Sequence, residues 1–236
     1  LDEPVAGDNG TRLFRAVYEL APPTEDGNWD AADNGSYTVW LKSNAVHDTA
    51  GNAARPAEIA QASQIGSFQV TIETRLITVD STLDTPDADP SDDLSDDGNG
   101  NSTLRSALMQ ANTLSGEIHV LLPEGTFQLS NSVDGDDTDA IGDLDITGTN
   151  NHVTLIGSDT GTTIIDASGI DRAFDLAAGG ELTLENIVVT GGTTTGDGGG
   201  VRNAGGTLHI QDSTLHSNAA DGDGAAIHNT GTLTLT

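Results

Sequence analysis

Short apolar stretches, separated by glycine, asparagine and aspartate, dominate the second half of the chain. From Ile118 to residue 165 each stretch is three to five residues long, and several alternate between apolar and polar side chains. Alternation with a period of two is typical of β-strands that bury one face. The stretches lie at 118–122, 126–129, 144–146, 153–156 and 163–165. The pattern therefore predicts short strands joined by tight corners.

The apolar pattern then repeats along the chain. The segment 182–184 recurs at 208–210 and again at 233–235. A second series with nearly the same interval consists of Phe174, Val201 and Ile227. A nearly constant period of this length indicates a repeat architecture, and three short strands with three corners account for one repeat. We predict a right-handed parallel β-helix over 118–236, truncated at its C-terminus, with the repeats aligned.

One amphipathic helix precedes these strands. Apolar residues recur at helical spacing between Leu104 and Ala111, and Ser102 is placed to be the N-cap. A helix of about ten residues is too short to be stable alone. We therefore expect its apolar face to cover the leading edge of the β-helix. Residues 76–117 are predicted to form an acidic connector together with this N-terminal capping helix.

The segment 1–75 has a different character. Six of the eight aromatic residues of the chain lie before residue 70. Strand-like segments are found at 11–21, 36–41 and 65–72. Bulky side chains suit the core between the two sheets of a sandwich, although seven strands would be usual for an Ig-like domain. We predict an all-β protein in which 1–75 form a partial Ig-like β-sandwich.

The negative charge of the chain limits the classes of partner that it can bind. The formal net charge is −29, and beyond residue 75 the only basic side chains other than histidine are Arg105, Arg172 and Arg202. Such a surface repels nucleic acid and anionic membranes. There is no cysteine, which excludes disulfides and thiolate metal sites. No apolar run is long enough to cross a bilayer, which excludes a membrane span in this segment.

Eight acidic residues and no basic one lie between Asp80 and Asp97. Oxygen-bearing side chains alternate around a turn glycine there, as they do in calcium loops, but Leu104 stands at the twelfth position where an EF-hand needs Glu. A looser calcium site is predicted. Its candidate ligands are Asp87, Asp89, Asp93, Asp97 and Asn99. The alternative is a solvated acidic loop, which its low hydrophobicity would leave disordered without a neutralising partner.

Catalytic groups are sparse. Glu181, Glu185 and Asp212 are predicted to point outward on adjoining repeats, but Thr207 and Gln211 replace the two glutamates one repeat later. Glycoside hydrolysis requires two carboxyl groups that face each other, and lyases that act on uronic acids require basic residues. The six histidines have no metal-ligand spacing. We predict no catalytic site, and the alternative is a β-helix that binds or cleaves acidic polysaccharide.

Short motifs in two segments match known families. The motifs at 29–39, 48–52 and 66–70 make about 10–73 resemble the Ig-like repeats of giant bacterial surface proteins. A second set of motifs lies at 77–82, 102–108, 111–112, 122–127, 142–147, 162–167 and 171–176. With these motifs, nearly all of 76–236 closely resembles the CSLREA domain that opens many bacterial, pectin-lyase-like β-helix surface proteins. Ser102 and Ser106 depart from it, because they stand where the family has Cys and Glu.

The resemblance implies a non-enzymatic structural or adhesive protein in which an Ig-like spacer presents a β-helix. The implied location is extracellular, at the bacterial cell surface. The implied partners are other surface proteins, extracellular matrix or glycans. Unpaired strand edges at the ends of such a stack would also allow end-to-end self-association.

Overall fold

A computed structural model describes residues 5–6, 12–13, 35–41, 63–70, 74–130, 140–149 and 151–236. The chain divides into two compact units, Leu1–Ile72 and Glu73–Thr236. The described residues form a β-rich protein with one α-helix. No helix among them is long and apolar enough to cross a membrane.

The first unit contains two antiparallel strand pairs. Strand β1 (Val5–Ala6) pairs with β2 (Arg12–Leu13), and β3 (Gly35–Leu41) pairs with β4 (Ser63–Val70). The register of β3 and β4 shifts after Val39. The strands predicted at 36–41 and 65–72 correspond to β3 and β4, whereas most of the strand predicted at 11–21 lies outside the described residues.

Parallel sheets form the second unit. The first sheet consists of β5 (Thr74–Thr78), β6 (Gly116–Leu121), β9 (Asn151–Ile156), β12 (Glu181–Glu185), β16 (Thr207–Gln211) and β20 (Thr232–Leu235). The second consists of β7 (Gly125–Gln128), β10 (Thr163–Asp166), β13 (Val188–Thr190) and β17 (Thr214–Leu215). The third consists of β8 (Leu144–Ile146), β11 (Phe174–Leu176), β15 (Val201–Asn203) and β19 (Ile227–Asn229). A further pair is β14 (Thr193–Thr194) with β18 (Ala219–Ala220).

The predicted alignment of the repeats is confirmed by the strand pairing. In the first sheet Leu182 pairs with Leu208, and Leu208 pairs with Leu233. In the third sheet the second predicted series, from Phe174 to Ile227, aligns in the same way. Equivalent residues of successive repeats are therefore direct neighbours.

The strands bury one face, as their alternation predicts. Leu182 and Leu184 are completely buried, whereas Glu181, Thr183 and Glu185 on the other face are partly exposed. Aliphatic residues from all three sheets and two phenylalanines fill one continuous core. Each such side chain contributes about 1.5–3 kcal/mol relative to an exposed one, before the entropy cost of ordering it.

The helix, α1, runs from Leu104 to Thr113, and its N-cap is Thr103. The prediction of Ser102 at this position is wrong by one residue. Thr103 Oγ1 accepts the N–H of Ser106 at 3.0 Å, and Ser106 Oγ accepts the N–H of Thr103 at 2.9 Å. This reciprocal pair is a capping box with serine in place of the usual acid or amide. Ser102 instead contacts Ser95, with 2.6 Å between their hydroxyl oxygens.

Helix α1 packs against β8 and β9 and covers the edge of the third sheet. Strand β8 is the outermost strand there. Asn112 Nδ2 donates to the carbonyl oxygen of Asp145 at 3.0 Å, and Asn112 Oδ1 accepts the N–H of Thr147 at 3.0 Å. The amide of one side chain thus takes the place of a neighbouring strand. The first sheet ends differently, because β5 pairs in parallel with β6 and extends it.

Candidate functional site

The acidic segment, residues 80–101, is stabilised by hydrogen bonds between its aspartate side chains and its own main chain. Five aspartates each accept the N–H of the residue two positions further on. These are Asp87, Asp89, Asp92, Asp96 and Asp97, with donor–acceptor distances of 2.9, 3.1, 2.9, 2.6 and 2.9 Å. Short acidic side chains form such turns readily. The carboxylates of these five residues, whose negative charge would favour disorder, therefore each accept a hydrogen bond from a main-chain N–H.

Asp97 has the most complete set of donors in this segment. Its carboxylate also accepts Nδ2 of Asn101 at 2.9 Å and Oγ1 of Thr85 at 3.1 Å. Hydrogen bonding, chiefly from the Asn101 side chain, lowers the pKa of Asp97 to about 2. A hydrogen bond from Ser91 likewise lowers the pKa of Asp89. Both groups are therefore carboxylates at neutral pH.

Asp87 differs from its neighbours because it is buried. The residue is 7 % exposed, and its Oδ2 has no hydrogen-bond partner. Its main-chain N–H lies 3.3 Å from Sδ of Met109 on α1. Burial raises the pKa of Asp87, and the negative charges of Asp92, Asp89 and Asp96 add to the effect. This oxygen could accept a cation or a proton.

The predicted calcium ligands are only partly brought together. Asp93 lies in an exposed ion pair with Arg75, at 3.7 Å, and Asn99 serves as a donor to Asp97. A surface pocket is lined by Asp89, Asp93 and Thr113, among others. Within the described ranges, no group of three or more acidic or histidine side chains is placed to hold a metal ion. Calcium binding at Asp87, Asp89, Asp93, Asp97 and Asn99 stays a prediction.

A buried ion pair fastens the acidic segment to the sheets. Arg105 of α1, 1 % exposed, donates from Nε to Oδ1 of Asp84 at 2.7 Å. The same guanidinium donates to the carbonyl oxygens of Gly142 and Asp143 at 2.8 and 2.9 Å. Asp84 Oδ2 accepts the N–H of Ser130, just after β7, at 2.7 Å. Sequence reasoning missed this junction, because its hydrogen-bonded pairs are up to 46 residues apart in the chain.

Charged side chains also line the outer face of the third sheet. In register, Asp145, Asp175, Arg202 and His228 stand on successive strands. Arg202 Nε donates to Oδ2 of Asp175 at 2.9 Å, and Nη2 of Arg202 contacts the same oxygen. Arg172 Nη1 donates to Oδ2 of Asp143 at 2.9 Å and of Asp175 at 3.4 Å. Both arginines are thus engaged by acids of this chain.

Histidines and glutamates meet on the outer face of the first sheet. His152 Nδ1 lies 3.4 Å from Oε2 of Glu117, and His152 Nε2 lies 2.8 Å from Oγ1 of Thr183. His209 Nε2 lies 3.9 Å from Oε1 of Glu181. Only the register reveals this group, because its members come from four strands of different repeats.

The outward glutamates do not continue onto the next strand. Glu181 pairs in register with Thr207, and Glu185 pairs with Gln211. Asp212 follows β16 with a φ of 47°. The predicted replacement of both acids by neutral side chains one repeat later is confirmed.

Comparison of the chain with family models, with curated proteins and with solved structures finds no match.

Proposed function

We propose that the second unit is a right-handed parallel β-helix with α1 as its cap. The order of the strands supports this: from β6 to β13 the chain visits the first, second and third sheets in turn, and the same cycle continues to β20 with β14 and β18 inserted. Each strand pairs in parallel with its equivalent one repeat away. Crossovers between parallel strands are almost always right-handed.

We infer that this is a non-enzymatic structural or adhesive protein of the bacterial cell surface. The antiparallel pair β3–β4 is compatible with a partial Ig-like spacer. The observation that carries the proposal is the pairing of Arg172 and Arg202 with Asp143 and Asp175. A site that cleaves acidic polysaccharide would direct basic side chains at the sugar carboxylate. Here the guanidinium groups of both arginines are instead paired with aspartates of the same chain. We expect partners among surface proteins, matrix components and glycans.

One experiment separates this proposal from the carbohydrate-active alternative. The full chain is incubated with polygalacturonate and other acidic polysaccharides, while polymer length and newly formed chain ends are measured. The structural proposal predicts unchanged polymers, and shortened ones would contradict it. Antibody labelling of intact cells that produce the protein tests the location, with loss of label after protease treatment as the expected result.

We also propose that the acidic segment binds calcium. The buried Asp87 Oδ2, without a donor and close to other carboxylates, supports the proposal. Calcium should raise the melting temperature of the chain above its value in chelator, and Asp87→Asn should remove most of that increase. Asp221→Asn, at an exposed corner, is the matched control and should leave it intact. Identical melting curves with calcium and chelator would exclude the site.

A further inference from the structure

A buried carboxyl group with too few hydrogen-bond donors lies at the start of the third sheet. Asp143 directly precedes β8, and its side chain is 0 % exposed. Its Oδ2 accepts Nη1 of Arg172 at 2.9 Å, whereas its Oδ1 has no hydrogen-bond partner. An ionised carboxylate in such a place costs far more than a neutral carboxyl group, because charge is expensive to bury without a full set of donors.

The described groups around Asp143 carry more negative than positive charge. Side chains that face it come from β8, from the turn before β11, from β11 itself and from β15. They are Asp145, Asp171, Arg172, Asp175 and Arg202. From α1, Arg105 contacts the main-chain oxygen of Asp143 and is paired with Asp84. Four carboxyl groups therefore share two guanidinium groups, and one proton would relieve part of the imbalance.

The surroundings of Asp143 determine the direction in which its pKa is shifted. Burial raises the pKa of Asp143 to about 8, and the charge of Asp145 acts in the same direction. The contact with Arg172 opposes this rise without cancelling it, since the guanidinium is divided between Asp143 and Asp175. An aspartate in an unfolded chain has a pKa of about 4.

The sign of the pH dependence follows from these two values. Between about pH 4 and pH 8 the folded chain holds a proton at Asp143 that the unfolded chain has lost. Stability should therefore fall as the pH rises through this interval, and this group should have no further effect above it.

We propose that Asp143 is a proton-controlled switch that sets how firmly α1 and β8 close the end of the second unit. With its proton, Asp143 leaves Arg172 free to serve Asp175. Without it, the carboxylate competes with Asp175 for the same guanidinium and draws solvent towards the cluster. The change reaches the cap because Arg105 of α1 is bonded to the main chain of Gly142 and Asp143.

Stability measurements on the full chain test the switch. Unfolding by urea is followed from pH 5 to pH 9 for the natural chain, for Asp143→Asn, and for Asp159→Asn as an exposed control. Relative to Asp143→Asn, the unfolding constant of the natural chain should rise by up to about tenfold per pH unit from 5 to 8 and then level off. Parallel curves for these two proteins would overturn the proposal. The control should follow the natural chain.

Infrared spectroscopy gives a second test that does not require the Asp143→Asn variant to fold. The band of a protonated carboxyl group arises from carboxyl groups alone, so the histidines and the one lysine do not contribute to it. Burial also raises the pKa of Asp87, so spectra are recorded for the natural chain and for Asp87→Asn. In both, a protonated carboxyl band should be present at pH 7 and lost by about pH 9.5. Absence of that band at pH 7 would contradict the proposal.

Discussion

Arg105 is the largest side chain that the described part of the fold buries completely. A guanidinium can be buried when each of its donors meets an acceptor, and here Asp84 and two carbonyl oxygens supply them. The cost of removing this charge from water is offset only while the partners stay in place. The stability of this junction therefore depends on the complete set of N–H donors of the Arg105 guanidinium.

Replacement of this arginine should be strongly destabilising. Arg105→Met removes the guanidinium from the buried carboxylate of Asp84, so we expect a loss of about 3–5 kcal/mol in the free energy of unfolding. Arg105→Lys keeps the charge but loses the planar fork, and it should cost less than Arg105→Met. Urea unfolding of the full chain measures both.

Arg75→Met is the control for these variants. Arg75 belongs to an exposed pair whose side chains are 45 % and 70 % exposed. Its replacement should change stability by less than about 1 kcal/mol. An equal loss in the free energy of unfolding for Arg75→Met and Arg105→Met would contradict the claim that burial makes the Arg105–Asp84 pair more important for stability.

At the scale of elements, the sequence predicted more than it did at the scale of side chains. The helix was expected behind Ser102 and begins at Leu104, because its apolar spacing is local information. The choice between Ser102 and Thr103 as N-cap depends on where the hydroxyls point, and both residue types are good caps. The role of Asn112 at the β8 edge depends on contacts 33 and 35 residues away, which no local pattern contains.

An acid of the same shape should not be able to replace the amide of Asn112 without a loss of stability. Asn112→Asp keeps an acceptor for the N–H of Thr147 but sets a carboxylate against the carbonyl oxygen of Asp145. We expect Asn112→Asp and Asn112→Ala each to lose about 1–3 kcal/mol of stability. Gln211→Ala, at the exposed end of β16, is the control and should change little. A neutral Asn112→Asp variant would contradict the edge-capping role.

At the scale of the whole molecule, the repeat was visible in the sequence because its period is nearly constant from residue 174 onward. Before that point loops of unequal length interrupt it, and the alignment of β6 with β9 rests on the structure. The predicted alignment of Phe174 with Val201 places Asp175 beside Arg202, but the contact of Arg172 with Asp143 was not predictable, because neither residue belongs to a repeating position. The apolar periodicity thus predicts which strands align, whereas the polar side-chain contacts can be seen only in the three-dimensional structure.

Cysteine cross-linking tests the alignment of successive repeats most directly, because the chain has no cysteine of its own. Thr207 pairs in register with Thr232, whereas Thr234 lies opposite His209. Neighbouring strands lie about 4.8 Å apart, and two positions along a strand span about 6.6 Å, so Thr207 and Thr234 are about 8 Å apart diagonally. Only the first pair falls within the reach of a disulfide. The variant with Thr207→Cys and Thr232→Cys should form an intramolecular disulfide on mild oxidation. The variant with Thr207→Cys and Thr234→Cys should not, and equal or reversed yields would contradict stacked, aligned repeats.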